Sequence, residues 1–187
     1  MKVLVTGGAG KFGQALKKTD ADKYITPGRL ELDISSVDSI CNFYNENKNI
    51  DGIILSANTN TVELWDIGLD DLKKEHRKAE FEKSYSDTIY NNFLLTRLYH
   101  KTIKFIIYMT SEFHYDAHAG YRLNKLAGSR FFLGLPNFKE FENICIKVIN
   151  PIHMDDITSY TKMGVAINDL INNINNHTDE YINYNEN

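Results

Sequence analysis

The first thirteen residues constrain this chain more than any others. Residues 2–6 (KVLVT) are a β-branched and apolar run of the kind that makes a buried strand, and they stop at Gly7 and Gly8. Residues 12–18 follow with Ala, Leu and Gln, which favour helix. Between the two lies Thr6-Gly7-Gly8-Ala9-Gly10-Lys11-Phe12-Gly13, in which Gly8, Gly10 and Gly13 keep a G-x-G-x-x-G spacing. In a strand–turn–helix one such glycine allows the tight turn, one lets the backbone approach a pyrophosphate, and one permits close packing of helix on strand. The helix N-terminus adds unpaired N–H groups and a partial positive charge suited to that anion. The spacing alone is weak, but directly after an N-terminal strand it becomes specific. A P-loop does not fit, because no Gly-Lys-Ser/Thr follows at the required distance. The expected ligand of residues 6–13 is therefore a dinucleotide.

The rest of the chain alternates strand and helix patterns. Residues 24–26 read as a second short strand cut by Pro27-Gly28, and residues 30–34 (LELDI) as a brief extended segment. Ser35-Ser36 can cap a helix with Val37, Ile40, Phe43 and Tyr44 on its apolar face. Residues 52–55 (GIIL), 104–109 (KFIIYM) and 143–149 (NICIKVI) are further buried strands. Helices are expected over 69–101, 120–133 and 161–173, and the Asn-, Tyr- and Glu-rich tail is expected to fray. Such alternation predicts an α/β fold: a doubly wound parallel sheet with helices on both faces, three layers in one Rossmann-type domain spanning 1–187 with a short C-terminal tail.

Composition narrows the function classes. A net charge of -4 gives no reason to expect nucleic acid as the partner. No apolar run is long enough to span a bilayer and the N-terminus does not read as a signal peptide, so the expectation is a cytoplasmic protein with no membrane association. Cys41 and Cys145 are too few for a disulfide framework, and the histidines, His114 and His118 included, lack a convincing ligand spacing, so no metal site is expected.

Tyr121 and Lys125 sit four residues apart on the helix predicted over 120–133, and so share a face. An ammonium lowers the pKa of a nearby phenol, which can then pass a proton to or from a substrate oxygen. The pair is common by chance on surface helices; its place after the fifth extended segment and downstream of the glycine turn points to catalysis.

Together these segments resemble the short-chain dehydrogenase/reductase family, in its extended and atypical forms, over about residues 1–151. Thr-Gly-x-x-Gly-x-x-Gly is one form of its glycine turn. Leu32-Asp33-Ile34-Ser35 looks like its adenine-contacting Asp segment, and Leu55-Ser56-Ala57-Asn58 looks like its Asn-Ala-Gly-type stretch. Tyr121-Arg122-Leu123-Asn124-Lys125 matches its Tyr-x-x-x-Lys signature. The runs RLELDIS and YRLNKLAG look most like dTDP-dehydrorhamnose reductase and its relatives.

The resemblance implies an NAD(P)(H)-dependent oxidoreductase acting on a small carbonyl or alcohol substrate. Tyr121 would be the general acid/base, Lys125 would also hold the nicotinamide ribose, and Ser111, with Thr110 in reserve, would orient the substrate oxygen. An Asn on the preceding helix would complete the set, Asn91 being preferred to Asn92. Cofactor contacts would come from Thr6, Gly7, Gly8, Gly10, Lys11, Phe12, Gly13, Arg29, Asp33, Ile34, Ser56, Ala57, Asn58, Tyr121, Lys125 and Pro151. Pairing through the helices flanking the strand at 104–109, with Leu94, Leu95, Leu98 and Tyr99 as an apolar stripe, would give a homodimer or homotetramer, although ordinary core packing would use the same residues.

The segment between Ser111 and Tyr121 is shorter than the family's, and the chain ends soon after its last clear strand. The alternative expectation is therefore a non-catalytic dinucleotide-binding or regulatory module, and the third a sugar-nucleotide reductase or epimerase. As for the cofactor, an acid closing the second strand would hold the ribose hydroxyls and favour NAD. Here that strand runs into Thr26-Pro27-Gly28-Arg29, and Arg29, assisted by Lys11, suits a 2′-phosphate, so NADP(H) is expected over NAD(H).

Overall fold

The apolar runs become strands because each can bury both of its faces. In the computed structural model, which describes residues 1–57, 75–110, 119–151, 157–176 and 180–184, these are β1 (Val3–Thr6), β2 (Tyr24–Ile25), β3 (Gly52–Leu55), β4 (Phe105–Met109), β5 (Cys145–Pro151) and β6 (Tyr181–Tyr184). They form one sheet in the order β2-β1-β3-β4-β5-β6, every pair parallel. The helices are α1 (Lys11–Thr19), α2 (Val37–Glu46), α3 (Glu75–Tyr85), α4 (Asn91–Tyr99), α5 (Ala119–Leu133) and α6 (Ile157–Asn172), with a π-helical turn at Ser86–Tyr90 joining α3 to α4. Ser36 caps α2 by accepting from the Ser39 N–H at 3.2 Å.

Alternate residues of each strand feed two separate cores. Leu4, Ile53, Leu55, Ile106, Tyr108 and Val148 pack with Ile40, Leu95, Tyr99 and Phe132 beneath α2, α4 and α5. Val3, Val5, Ile54, Ile107 and Ile149 pack with Phe12, Leu16, Met163 and Ile167 beneath α1 and α6. The result is three layers, each apolar core residue contributing about 1.5–3 kcal/mol by leaving water. The chain leaves β1 for β2 on one side and returns to β3 on the other. This reversal opens a crevice at the carboxyl ends of β1 and β3, where open α/β sheets bind their ligands. No helix among the described residues is long and apolar enough to cross a membrane.

Three expectations are corrected. Residues 30–34 are turns rather than an extended segment, which leaves β2 at the edge. The cause is local competition: the Glu31 and Leu32 N–H groups both go to the Gly28 carbonyl, at 3.0 and 2.9 Å, and the Asp33 N–H goes to Ser39 Oγ at 2.9 Å, closing turns with donors that a ladder would need. The tail does not fray throughout. Residues 181–184 pair with β5 from Val148↔Tyr181 to Pro151↔Tyr184, Asn150 donates to the Asn183 side chain at 3.1 Å, and Ile182 and Tyr184 pack against the second core. Leu95 and Tyr99, expected in an interface stripe, are core residues instead. The helices begin and end close to expectation, residues 69–74 lying outside the described residues.

At the amino end of the sheet, the buried Phe105 ring fills the space over Gly52: a Cβ on Gly52 would lie 2.1 Å from it. Gly52→Ala is expected to destabilise the protein by about 1–3 kcal/mol, with ligand affinity of the folded form unchanged; urea denaturation and a binding titration check both.

Candidate functional site

The glycine turn is shaped by contacts that exclude side chains. Gly7 has φ +71°, the left-handed region that glycine enters without strain, and a Cβ there would sit 3.1 Å from the Ala57 backbone. A Cβ on Gly8 would fall 2.4 Å from the Thr26 backbone, and one on Gly13 2.4 Å from Gly8 itself. Turn, β2 end and first turn of α1 are thus pressed together. Gly10 differs: it is exposed, and a Cβ there would meet only the Gly7 carbonyl. Its carbonyl accepts the first bond of α1, from Gln14 N–H at 3.0 Å, so the N–H groups of Lys11, Phe12 and Gly13 have no intrahelical partner. No acidic residue lies in that first turn to neutralise it. Phe12 points its ring into the second core, and Lys11 lies over the Tyr160 ring of α6, 5.8 Å from its centroid.

Thr6 joins the two sides of the crevice. Its buried hydroxyl accepts from the N–H groups of Ser56 and Ala57, both at 3.1 Å, while Ser56 Oγ donates to the Thr6 carbonyl at 2.5 Å. Thr6, Ser56 and Ala57 are therefore brought together with Gly7. Asn58 lies outside the described residues.

At the β2 edge, Arg29 Nε donates to Asp33 at 3.1 Å, with 80% of the Arg29 side chain exposed. Asp33 also accepts from Ser35 Oγ at 2.7 Å, and chiefly the Ser35 bonds hold its carboxyl below the usual carboxylate range. Ile34 is buried, and its carbonyl accepts from Asn91 Nδ2 at 2.8 Å. Asn91 is thus placed against the adenine-type segment. The π-helical turn supplies a residue that the sequence reading missed: Asp87, a buried carboxylate that accepts from Lys83 Nζ at 2.7 Å and more distantly from Asn91 at 3.4 Å.

On α5, Lys125 is buried with 1% exposure. Its Nζ donates to the Ser56 carbonyl at 3.4 Å and lies 5.2 Å from the centre of the Tyr108 ring. Gly128, one turn further, makes this possible: a Cβ there would collide with the Tyr108 hydroxyl, so α5 can settle directly on β4. Burial pushes the Lys125 pKa down to about 7. Thr110 donates its hydroxyl to the Lys125 carbonyl at 3.2 Å, so this reserve hydroxyl fastens the helix. Asn124, also missed in the sequence, is buried and donates to Ser84 of α3 at 2.9 Å. Tyr121 lies one turn before Lys125 on α5, its side chain outside the described residues; Ser111 lies outside them altogether. Pro151 ends β5 at the same carboxyl edge of the sheet.

The glycine turn and the Tyr121–Lys125 spacing are motifs of the sequence, but the Ser56 partner of Lys125 and the Ile34 partner of Asn91 come from elements distant in sequence. The same fold recurs in solved structures. An oxidoreductase (short chain dehydrogenase/reductase) from Brucella ovis superposes with a TM-score of 0.74 at 17% identity, covering 99% of this chain and 100% of its own. An oxidoreductase of the same family from Brucella ovis, in complex with a partially ordered NAD, gives 0.70 at 15%, covering 98% and 99%. An alcohol dehydrogenase from the archaeon Thermococcus sibiricus, complexed with 5-hydroxy-NADP, gives 0.72 at 16%, covering 98% and 96%. The fold is that of the short-chain dehydrogenases/reductases. No protein-family model matches the sequence, and no curated protein matches it.

A lysine whose folded pKa lies below its unfolded value weakens the fold at lower pH. Between about 7 and 10.5 the unfolded chain holds a proton that the folded form does not, so the Lys125 contribution makes stability rise with pH across that window. Lys125→Met is expected to flatten this rise in ligand-free protein; denaturation midpoints at pH 7 and 9 for both proteins provide the check.

Proposed function

We propose that this chain is an NAD(P)(H)-dependent oxidoreductase of the short-chain dehydrogenase/reductase type, acting on a small carbonyl or alcohol substrate. One observation carries the reading. Lys125, the buried end of the Tyr-x-x-x-Lys pair, donates to the Ser56 carbonyl, and Ser56 is bonded in turn to Thr6, which leads into the glycine turn. The lysine of that pair and the turn that would hold a dinucleotide are therefore joined through Ser56. The residues fit such a cofactor: Gly10 leaves the turn open, and the first N–H groups of α1 suit a pyrophosphate. Solved neighbours of the fold carry NAD and NADP-type ligands.

Bound there, the dinucleotide would supply hydride donor or acceptor chemistry. The glycine turn binds and orients the phosphates, with Lys11 as an added cation. Lys125 holds the nicotinamide ribose, and whenever it carries its proton the ammonium lowers the pKa of the Tyr121 phenol. Tyr121 Oη passes the proton to or from the substrate oxygen, which Ser111 orients. Asn91 acts at a distance, fixing the Ile34 carbonyl against the helix. Asn58 and Pro151 complete the cofactor contacts. Arg29, whose Nη atoms have no hydrogen-bond partner among the described residues, supports a preference for NADP(H).

The exposed Tyr85, Tyr90, Leu126 and Phe131 on the α3–α4 and α5 segments support pairing of two or four copies through those helices. The two cysteines are free thiols, in keeping with a cytoplasmic location.

Titration with NADPH and NADH, followed by a carbonyl screen, tests the reading. Tyr121→Phe is expected to lower kcat by about 10²–10⁴-fold while dinucleotide affinity stays unchanged. Unchanged turnover in that variant would remove Tyr121 from the mechanism and favour a dinucleotide-binding module without chemistry.

A further inference from the structure

We propose that Glu31 is a cofactor-specificity residue that opposes Arg29 and keeps NAD(H) usable beside NADP(H). The inference rests on the dinucleotide reading above. By sequence, β2 runs out without an acid, six residues before Glu31. The fold brings one back. Glu31 N–H and Leu32 N–H both bond to the Gly28 carbonyl, at 3.0 and 2.9 Å, a single helical turn that folds the chain over its own path. The Glu31 carboxylate then accepts the Gly28 N–H at 2.7 Å. A Cβ at Gly28 would lie 3.8 Å from Glu31 Oε2 and 3.9 Å from the Ala9 side chain. The carboxylate therefore borders the gap between the end of β2 and the glycine turn.

Capping Gly28 uses one carboxylate oxygen. The other has no hydrogen-bond partner among the described residues, and Glu31 is exposed. An ionised carboxylate only accepts hydrogen bonds, and the vicinal hydroxyls of an unsubstituted adenosine ribose are the donors that match it. A 2′-phosphate at the same place meets a like charge instead. Arg29, two residues earlier, is engaged through Nε alone and offers its two Nη atoms to that phosphate. One short turn thus carries two opposed determinants, and the preference for NADP(H) is shallow because Glu31 holds it down.

Calorimetric titration of the whole protein with NADH and with NADPH reads the balance directly, without turnover. In the unaltered protein the two dissociation constants are expected within about tenfold of each other. Glu31→Gln keeps an oxygen for the Gly28 N–H and removes only the charge. It is expected to move the ratio Kd(NADH)/Kd(NADPH) upward by about tenfold, the effect of losing a charge-assisted hydrogen bond. Arg29→Ala is expected to move it downward by a similar factor. A ratio within about twofold of the parent in Glu31→Gln, with both forms still binding, overturns the assignment of Glu31 and leaves the oxidoreductase reading intact. Absence of binding of either form to the unaltered protein overturns the dinucleotide reading itself, and Glu31 with it.

Discussion

Gly8 lies so near the Thr26 backbone that one methyl group would not fit between them, and Gly13 lies as near to Gly8. This close approach governs the carboxyl edge of the sheet. It sets how far α1 sits from β1, and so where the unpaired N–H groups of that helix point. It also fixes the end of β2 against the turn, and β2 is only two residues long. So short a strand has little ladder of its own to determine its position; packing against glycine does that instead. The Thr6 hydroxyl performs the matching task toward β3, gathering two backbone N–H groups at once. Crevice geometry thus depends on missing side chains on one flank and on one buried hydroxyl on the other.

Much of this was legible in the sequence. The glycine turn, the four central strands and the helical position of Tyr121 and Lys125 follow from local patterns, because steric demands of a tight turn and burial on both strand faces act over a few residues. What was not legible depends on competition between distant or side-chain partners. The run 30–34 alternates like a strand, yet its backbone donors find acceptors nearer than any neighbouring strand could offer. The polar tail reads as a fraying end, yet the open edge of β5 supplies it with a ladder, and Ile182 and Tyr184 supply it with a core. Asn91 was legible as a polar residue on the right helix, but not that its amide would reach the Ile34 carbonyl. Buried Asp87 and Asn124 gave no signal at all, because the hydrogen bonds that hold them come from a residue one helical turn away or on another helix.

These polar groups share a pattern. Asn91 joins α4 to the turn before α2, Asn124 joins α5 to α3, and Thr110 joins β4 to α5. Each is a buried amide or hydroxyl that crosses between elements, where apolar packing alone would tolerate sliding. The π-helical turn inserts its extra residue beside two of these joints and rotates the helix after it relative to the helix before. The interior on the α2–α4–α5 side is therefore held in register by hydrogen bonds as well as by shape.

The last strand places a temporal condition on all of this. A parallel strand can be added only after the helix that precedes it has crossed the sheet. β6 is drawn from residues 181–184, so the backbone donors and acceptors along one side of β5 stay bare until nearly the whole described chain has left the ribosome. During that interval the nascent protein presents a hydrogen-bonding edge of the kind that captures foreign strands. The four residues of the tail act as a late seal on it. A tag or fusion placed directly behind them would compete for the same edge at the moment it is most open.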